Sequence, residues 1–140
     1  MKYWLLKSEP GSWSWQDQQA AGSAGTDWDG VRNWQATANM KAMTLRDPGF
    51  FYHSVREKRL VGIVEVCGLY RPDPSDPSGR FGMVRVRALQ TLPAPVTLAQ
   101  IKADPAFGAL ALVRQSRLSV APVDEESWRL LCRLGGVTPA

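Results

Sequence analysis

The sequence predicts an α+β domain of about five or six strands, mainly antiparallel, with helices inserted between them. Three observations carry this. Leu60–Cys67 is a near-continuous apolar run of strand length, the mark of a central strand. Met83–Ala88 alternates, with Val84, Val86 and Ala88 on one face and Arg85 and Arg87 on the other. Helix-capping patterns fall between the strand-like segments rather than at one end. Residues 1–140 show no internal repeat and no long linker, so they form one domain, long enough to bury a core.

In chain order, Tyr3–Lys7 reads as a first strand, stopped by Ser8-Glu9-Pro10-Gly11. Ser14 caps a short helix, Trp15 to Ala20, with Asp17 in its first turn. Residues 21–26 are small and form a surface connection. A helix follows over 33–43, with Trp34, Ala38 and Leu45 on one face, Met40 and Met43 nearby, and Lys41 solvated. Arg46-Asp47-Pro48-Gly49 breaks the chain before the aromatic strand candidate Phe50–Ser54. Residues 55–59 form a charged turn before the central strand.

Three prolines, two aspartates and two serines make 71–79 a loop. Pro93 and Pro95 close the alternating strand after it. Thr97-Leu98-Ala99-Gln100 is a capping box opening a helix to Ala103, and 104–111 is a further helical or turn segment. Leu118-Ser119-Val120 is a short strand ended by Pro122. Asp124 caps a last helix with Trp128, Leu131, Cys132 and Gly135 on its inner face, and Gly135 and Gly136 end it. A sheet of this size can curl into a small barrel.

The net charge of +4 and the isoelectric point of about 9.4 suit a polyanionic partner without requiring one. Arg85, Arg87, Arg114 and Arg117 form a thinner basic stripe than duplex binding usually shows. Two cysteines, Cys67 and Cys132, are too few for a disulfide framework and read as buried thiols of a reducing compartment. The apolar run at the amino terminus is too short for a signal peptide or a membrane span. The expected setting is therefore cytoplasmic, or nuclear in a eukaryote, with no membrane partner.

Catalytic and metal chemistry find little support. His53 is the one histidine, and neither Cys-x-x-Cys nor His-x-x-x-His spacing occurs, so no metal ligands are expected. Ser54 is adjacent to His53 and on a strand points the other way, so the pair is no working dyad. Ser8 and Ser119 are the remaining nucleophile candidates, and His53 reads equally well as a structural residue. There is no phosphate-binding glycine loop. No catalytic residue and no cofactor is assigned.

Recognition is better served. Asp27–Ala36 packs two indoles, a guanidinium, two amides and two carboxylates around Gly30, at a loop-to-helix junction. Aromatic faces stack on bases, amides read base edges and arginines hold phosphate. Trp28, Arg32, Asn33 and Trp34 offer all three, and Lys7, Ser8 and Glu9 supply polar groups from the end of the first strand.

Tyr3–Pro10, Trp28–Ala36, Phe51-Tyr52-His53-Ser54, Val61–Val66 and Arg117–Val120 with Pro122-Val123 and Trp128 stand in the order of the EVE domain signatures, and the chain resembles that family along essentially its whole length. The resemblance implies a PUA-like fold, a mixed and mainly antiparallel pseudo-barrel. It also implies non-catalytic binding of a modified nucleobase by base flipping, with 5-methylcytosine or an oxidised derivative in DNA ahead of modified RNA. Carried over position by position, the ligand-binding residues are Lys7, Ser8, Trp28, Val31, Arg32, Asn33, Trp34, Tyr52, His53, Ser54 and Ser119. Trp28 or Trp34 would stack, Asn33 and Ser8 would read the base edge, and Arg32 and Lys7 would meet sugar or phosphate. Lys7-Ser8-Glu9 and Tyr52-His53-Ser54 would form opposing walls, in a monomer. Trp34 stands where the family often has tyrosine, and Phe81 where tryptophan is common. The alternatives are an enzyme acting on a nucleic-acid or nucleoside substrate, and a small-ligand domain with no nucleic-acid partner.

Overall fold

Alternation within the first strand decides how the sheet is covered. β1 (Tyr3–Ser8) sends Trp4 and Leu6 to one face and Leu5 to the other, and all three are buried. A strand buried on both faces belongs inside a sheet. The computed structural model, which describes residues 1–139, places β1 one strand in from an edge. The chain continues through α1 (Trp15–Ala20), a short 3-10 turn (Gly22–Ala24), β2 (Thr26–Trp28) and α2 (Trp34–Lys41). Then come β3 (Pro48–His53), β4 (Arg59–Pro72), β5 (Gly82–Thr97) and α3 (Leu98–Ala103). A second 3-10 turn (Pro105–Phe107), α4 (Ala111–Arg114), β6 (Val120–Val123) and α5 (Glu125–Leu134) complete it.

The six strands form one sheet in the order β2-β5-β4-β3-β1-β6. β1 and β3 are parallel and every other neighbouring pair is antiparallel. α2 packs against β6, β5 and β4. β5 and β6 lie four positions apart in the sheet, roughly 19 Å if it were flat, whereas a helix is about 10–12 Å across. The sheet must therefore curl around α2, which makes it a pseudo-barrel left open between β2 and β6. Inside lie Trp4, Leu6, Trp15, Phe51, Val64 and Met40. Outside, Leu5, Phe50, Ile63 and Phe107 pack with Trp128 and Leu131 of α5. Gly62 is required here: a side chain on it would overlap the Trp15 indole lying against β4.

Local capping signals hold. Ser14 and Thr97 form capping boxes, and Asp124 accepts the Ser127 N–H at 3.0 Å. Gly136, not Gly135, takes the left-handed conformation after α5.

Four expectations are corrected. β5 runs through Pro93 and Pro95, because Leu60 pairs with Val96 and Gly62 with Thr91. Residues 92–95 thus bulge out, where no N–H is owed to β4. β6 runs through Pro122 because it is an edge strand. The buried face of α2 is Ala36, Thr37 and Met40, followed by Met43, while Trp34 and Leu45 are exposed. Asn33 caps this helix, so the apolar stripe starts at Ala36 and repeats at four and seven residues. Finally, Cys132 is buried, its thiol pushed up to about 11 by that burial, but Cys67 is only half-buried. Both thiols are free.

Candidate functional site

The end of β1 and the turn after it build one wall of an open pocket of about 710 Å³, within the usual range of ligand sites. Pro10 and Gly11 reverse the chain so that the N–H groups of Ser12 and Trp13 both donate to the Glu9 carbonyl at 2.9 Å. Ser8 Oγ donates to the Trp13 carbonyl at 2.5 Å. The indole Nε1–H of Trp13 donates to Gln18 Oε1 at 2.9 Å, and the fully buried Gln18 donates Nε2 to the Val86 carbonyl at 3.2 Å. The half-buried Trp13 ring thus lines the pocket with its polar edge already bonded.

β2 forms the other wall with Thr26, Asp27 and Trp28, and Asp29 and Arg85 lie at its margin. Pairing of β2 with β5 sets Asp27 opposite Arg85, whose Nη1 donates to the carboxylate at 2.7 Å; Arg71 donates to the same oxygen. Burial alone would raise the Asp27 carboxyl, but the two guanidiniums outweigh it and hold the group below its ordinary range. Trp28 is only 7% exposed, edge-on to Phe51 at 5.7 Å and 88°. It presents a margin to the pocket and most of its surface to the core. Lys7 lies over the Tyr52 ring at 5.9 Å and donates Nζ to the Ser116 carbonyl at 2.9 Å, and burial lowers its pKa.

The loop from Asp29 to Asn33 is held from beneath by Asp73. Gly30, at a positive φ of 74°, donates its N–H to Asp73 Oδ2 at 2.8 Å, and Arg32 Nη1 donates to the same oxygen at 3.1 Å. Ser75 donates both N–H and Oγ–H to Oδ1, at 2.8 and 2.6 Å. Burial would raise this carboxyl, and four hydrogen bonds hold it well below the usual carboxylate range instead.

Of the sequence-predicted residues, Lys7, Ser8 and Trp28 come together in the pocket. Val31 is core. Arg32 is bound to Asp73 and Ser75 and lies over Phe81 at 5.7 Å. Asn33 Oδ1 accepts the Ala36 N–H at 2.9 Å as the α2 cap. Trp34 is 62% exposed and tilted against Phe81, centroids 4.5 Å apart.

Tyr52, His53 and Ser54 lie on the β3 side of β1 and Ser119 on the β6 side. Lys7 pairs with Tyr52 and Ser8 with His53 in adjacent parallel strands. The two segments are therefore neighbours in the sheet rather than opposing walls, because a parallel register sets them side by side, and Tyr52-His53-Ser54 does not line the pocket. Ser54 N–H donates to the Ser8 carbonyl, and the Ser119 carbonyl accepts the Lys7 N–H, both at 2.9 Å. His53 is buried; Nε2 accepts the Trp15 N–H at 3.0 Å and Nδ1 lies 3.1 Å from Glu57 Oε1. Ser12, Trp13, Thr26, Asp27 and Arg85 also line the pocket and were not expected there from the sequence. The one available signal was Ser12-Trp13-Ser14-Trp15, where an indole two residues ahead of the helix start sits among small polar residues. Among the described residues no cluster of three or more His, Cys, Asp or Glu side chains is placed to hold a metal ion.

The EVE domain family model matches residues 2–134. Rat thymocyte nuclear protein 1 is 32% identical over 170 residues, spanning 99% of this chain and 75% of the relative. Among solved structures, an Agrobacterium tumefaciens protein is 47% identical with a TM-score of 0.96, over 100% of this chain and 97% of its own. The human THYN1 protein, in complex with 5-methylcytosine containing DNA, is 29% identical with a TM-score of 0.91, over 99% of this chain and 100% of its own.

Proposed function

The chain belongs to the EVE domain family, and from that membership we propose that its open pocket holds one modified nucleobase turned out of a nucleic-acid strand, 5-methylcytosine or an oxidised derivative in DNA. The observation that carries this reading is the pocket itself: two tryptophans, Trp13 and Trp28, among hydroxyl, carboxylate and cationic groups, in a volume that admits a base. Turning a base out costs roughly a few kcal/mol. Stacking returns about 1–3 kcal/mol per base, and the half-buried Trp13 ring lining the pocket supplies it.

Ser8 Oγ spends its proton on Trp13 and keeps its lone pairs for a donor such as the exocyclic amine of cytosine. Thr26 and Asp29 add further partners for the base edge. Lys7 meets sugar or phosphate at the mouth, while Arg85, bonded to Asp27 and to the Ala24 and Gly25 carbonyls, holds β2 in place. Val31, Arg32, Asn33, Tyr52, His53, Ser54 and Ser119 act by holding these groups in place, and Trp34 stands outside the pocket. One methyl against an apolar surface is worth about 1–3 kcal/mol, roughly 10–200-fold, so the preference for the modified base lies in that range. No bond is made or broken in this reading; the domain binds.

The test is a fluorescence titration with short oligonucleotides carrying cytosine, 5-methylcytosine or 5-hydroxymethylcytosine, at two salt concentrations. Tighter binding of a modified strand that persists at the higher salt supports the proposal. Equal affinity for all three, lost at moderate salt, reduces the binding to charge attraction and sinks it.

A further inference from the structure

Beside the pocket runs a shallow groove of about 300 Å³ that the base-holding reading leaves unused. Asn33 and Gln35 line one side, and Arg114 at the end of α4 with Gln115, Ser116 and Arg117 from the segment leading to β6 line the other. Its polar groups are cations, amides and a hydroxyl, and no carboxylate lines it. This matters because six of the twelve arginines are neutralised in place, and of the six without a carboxylate partner among the described residues, Arg114 and Arg117 stand together in this groove while Arg46, Arg56, Arg80 and Arg133 lie outside it. Arg32, Arg59, Arg71, Arg85, Arg87 and Arg129 each have a carboxylate partner. Arg114 and Arg117 have none among the described residues, and both are exposed. Arg114 is nonetheless aimed, its Nε donating to the Gly108 carbonyl at 2.8 Å, which leaves the two terminal nitrogens of its fork available.

Groove and pocket adjoin at two places. Lys7 lines the pocket and donates Nζ to the carbonyl of Ser116, which lines the groove. Asp29 lines the pocket and Asn33 the groove, and one short loop, clamped by Asp73, joins them.

We propose that this groove binds the phosphodiester backbone that adjoins the nucleotide in the pocket, with Arg114 and Arg117 each neutralising one phosphate and Gln35 and Gln115 bonding the sugar-phosphate oxygens. The assignment rests on the base-holding reading for which nucleotide lies next door. The groove's own chemistry carries the class of ligand. Guanidinium forks match phosphate oxygens bidentately, and neutral amide donors beside them suit a repeating diester. An acidic peptide is the competing occupant, and the test separates it.

The experiment measures binding of the full chain to a labelled single strand with and without one 5-methylcytosine, across a salt series. The variants are Arg117→Gln, Arg114→Gln/Arg117→Gln and Arg117→Lys, and the thermal midpoint of each is recorded. The slope of log affinity against log salt is expected to shrink by about 0.7 for Arg117→Gln and about 1.4 for the double variant. Arg117→Lys keeps the slope. Both strands weaken by the same factor, so their affinity ratio is unchanged. Arg117 makes no side-chain hydrogen bond among the described residues, so Arg117→Gln keeps the test open if the double variant loses its fold.

Wild-type slope and affinity in a folded Arg117→Gln variant would overturn the groove and leave the pocket's ratio standing. A wild-type ratio of one would sink the pocket reading, while the slope still reports on the groove. Displacement of the strand by a polyglutamate peptide at equal charge concentration would overturn the assignment to a nucleic-acid backbone.

Discussion

The buried carboxylate of Asp73 accepts the Gly30 N–H at 2.8 Å, tying the β4–β5 connection to the loop that follows β2. The loop needs this anchor: Gly30 is in a left-handed conformation, and its N–H has left the β2 ladder. Asp73→Asn sets an amide NH₂ among donors and removes the charge that strengthens each bond. It is expected to lower the unfolding free energy by about 1.5–3 kcal/mol, read from urea denaturation. An unchanged midpoint would mean that the loop holds its shape without the clamp.

The same carboxylate gives stability an acid dependence of known sign. Its folded pKa lies below the ordinary 3.8, so between the two values the unfolded chain binds a proton that the folded chain does not. The stabilisation is present above the ordinary value and is lost as pH falls through the folded one. Asp27, Asp47 and Asp124 shift in the same direction, so the comparison must be differential. From about pH 6 to about pH 3, wild type should lose more stability than Asp73→Asn, measured by urea midpoints at each pH. Equal losses would contradict the shift.

Trp13 and Trp28 differ in what they hold up. Trp28→Ala empties core space against Phe51 and should cost about 3–5 kcal/mol. Trp13→Ala removes a half-buried ring and should cost about 1–2 kcal/mol less than that while abolishing base preference. Thermal midpoints read the first effect and oligonucleotide titration the second. A Trp13→Ala variant as unstable as Trp28→Ala would place Trp13 in the core.

His53 acts on the pocket from behind. Its Nε2 accepts the Trp15 N–H at the first turn of α1, so the Nδ1 proton faces Glu57. His53→Ala leaves a buried N–H without an acceptor, at a cost of about 1–3 kcal/mol. It should also weaken oligonucleotide binding, because Trp13 sits just ahead of that turn. Weaker binding at unchanged stability would instead make His53 a direct ligand contact.

What could be read from the residues alone divides along a physical line. Caps at Ser14, Thr97 and Asp124 were legible because a cap is decided within four residues. Pro93, Pro95 and Pro122 misled because a proline's fit to a strand depends on a bulge or an edge, which distant pairing creates. The basic stripe of four arginines halved for the same reason: the register sets Arg85 against Asp27 and Arg87 against Glu65, leaving Arg114 and Arg117. Lys7, Ser8 and Trp28 were legible as pocket residues. Trp13 was not, since Gln18 of α1 orients it from a bond to Val86 on the distant strand β5.

The most direct test of the central claim is the ratio of dissociation constants for cytosine and 5-methylcytosine strands, measured side by side for wild type and Trp13→Ala at one salt concentration. A ratio of roughly ten or more in wild type, falling to about one in the variant, is predicted. A wild-type ratio near one, or a ratio that survives loss of the Trp13 ring, would contradict a base held in this pocket.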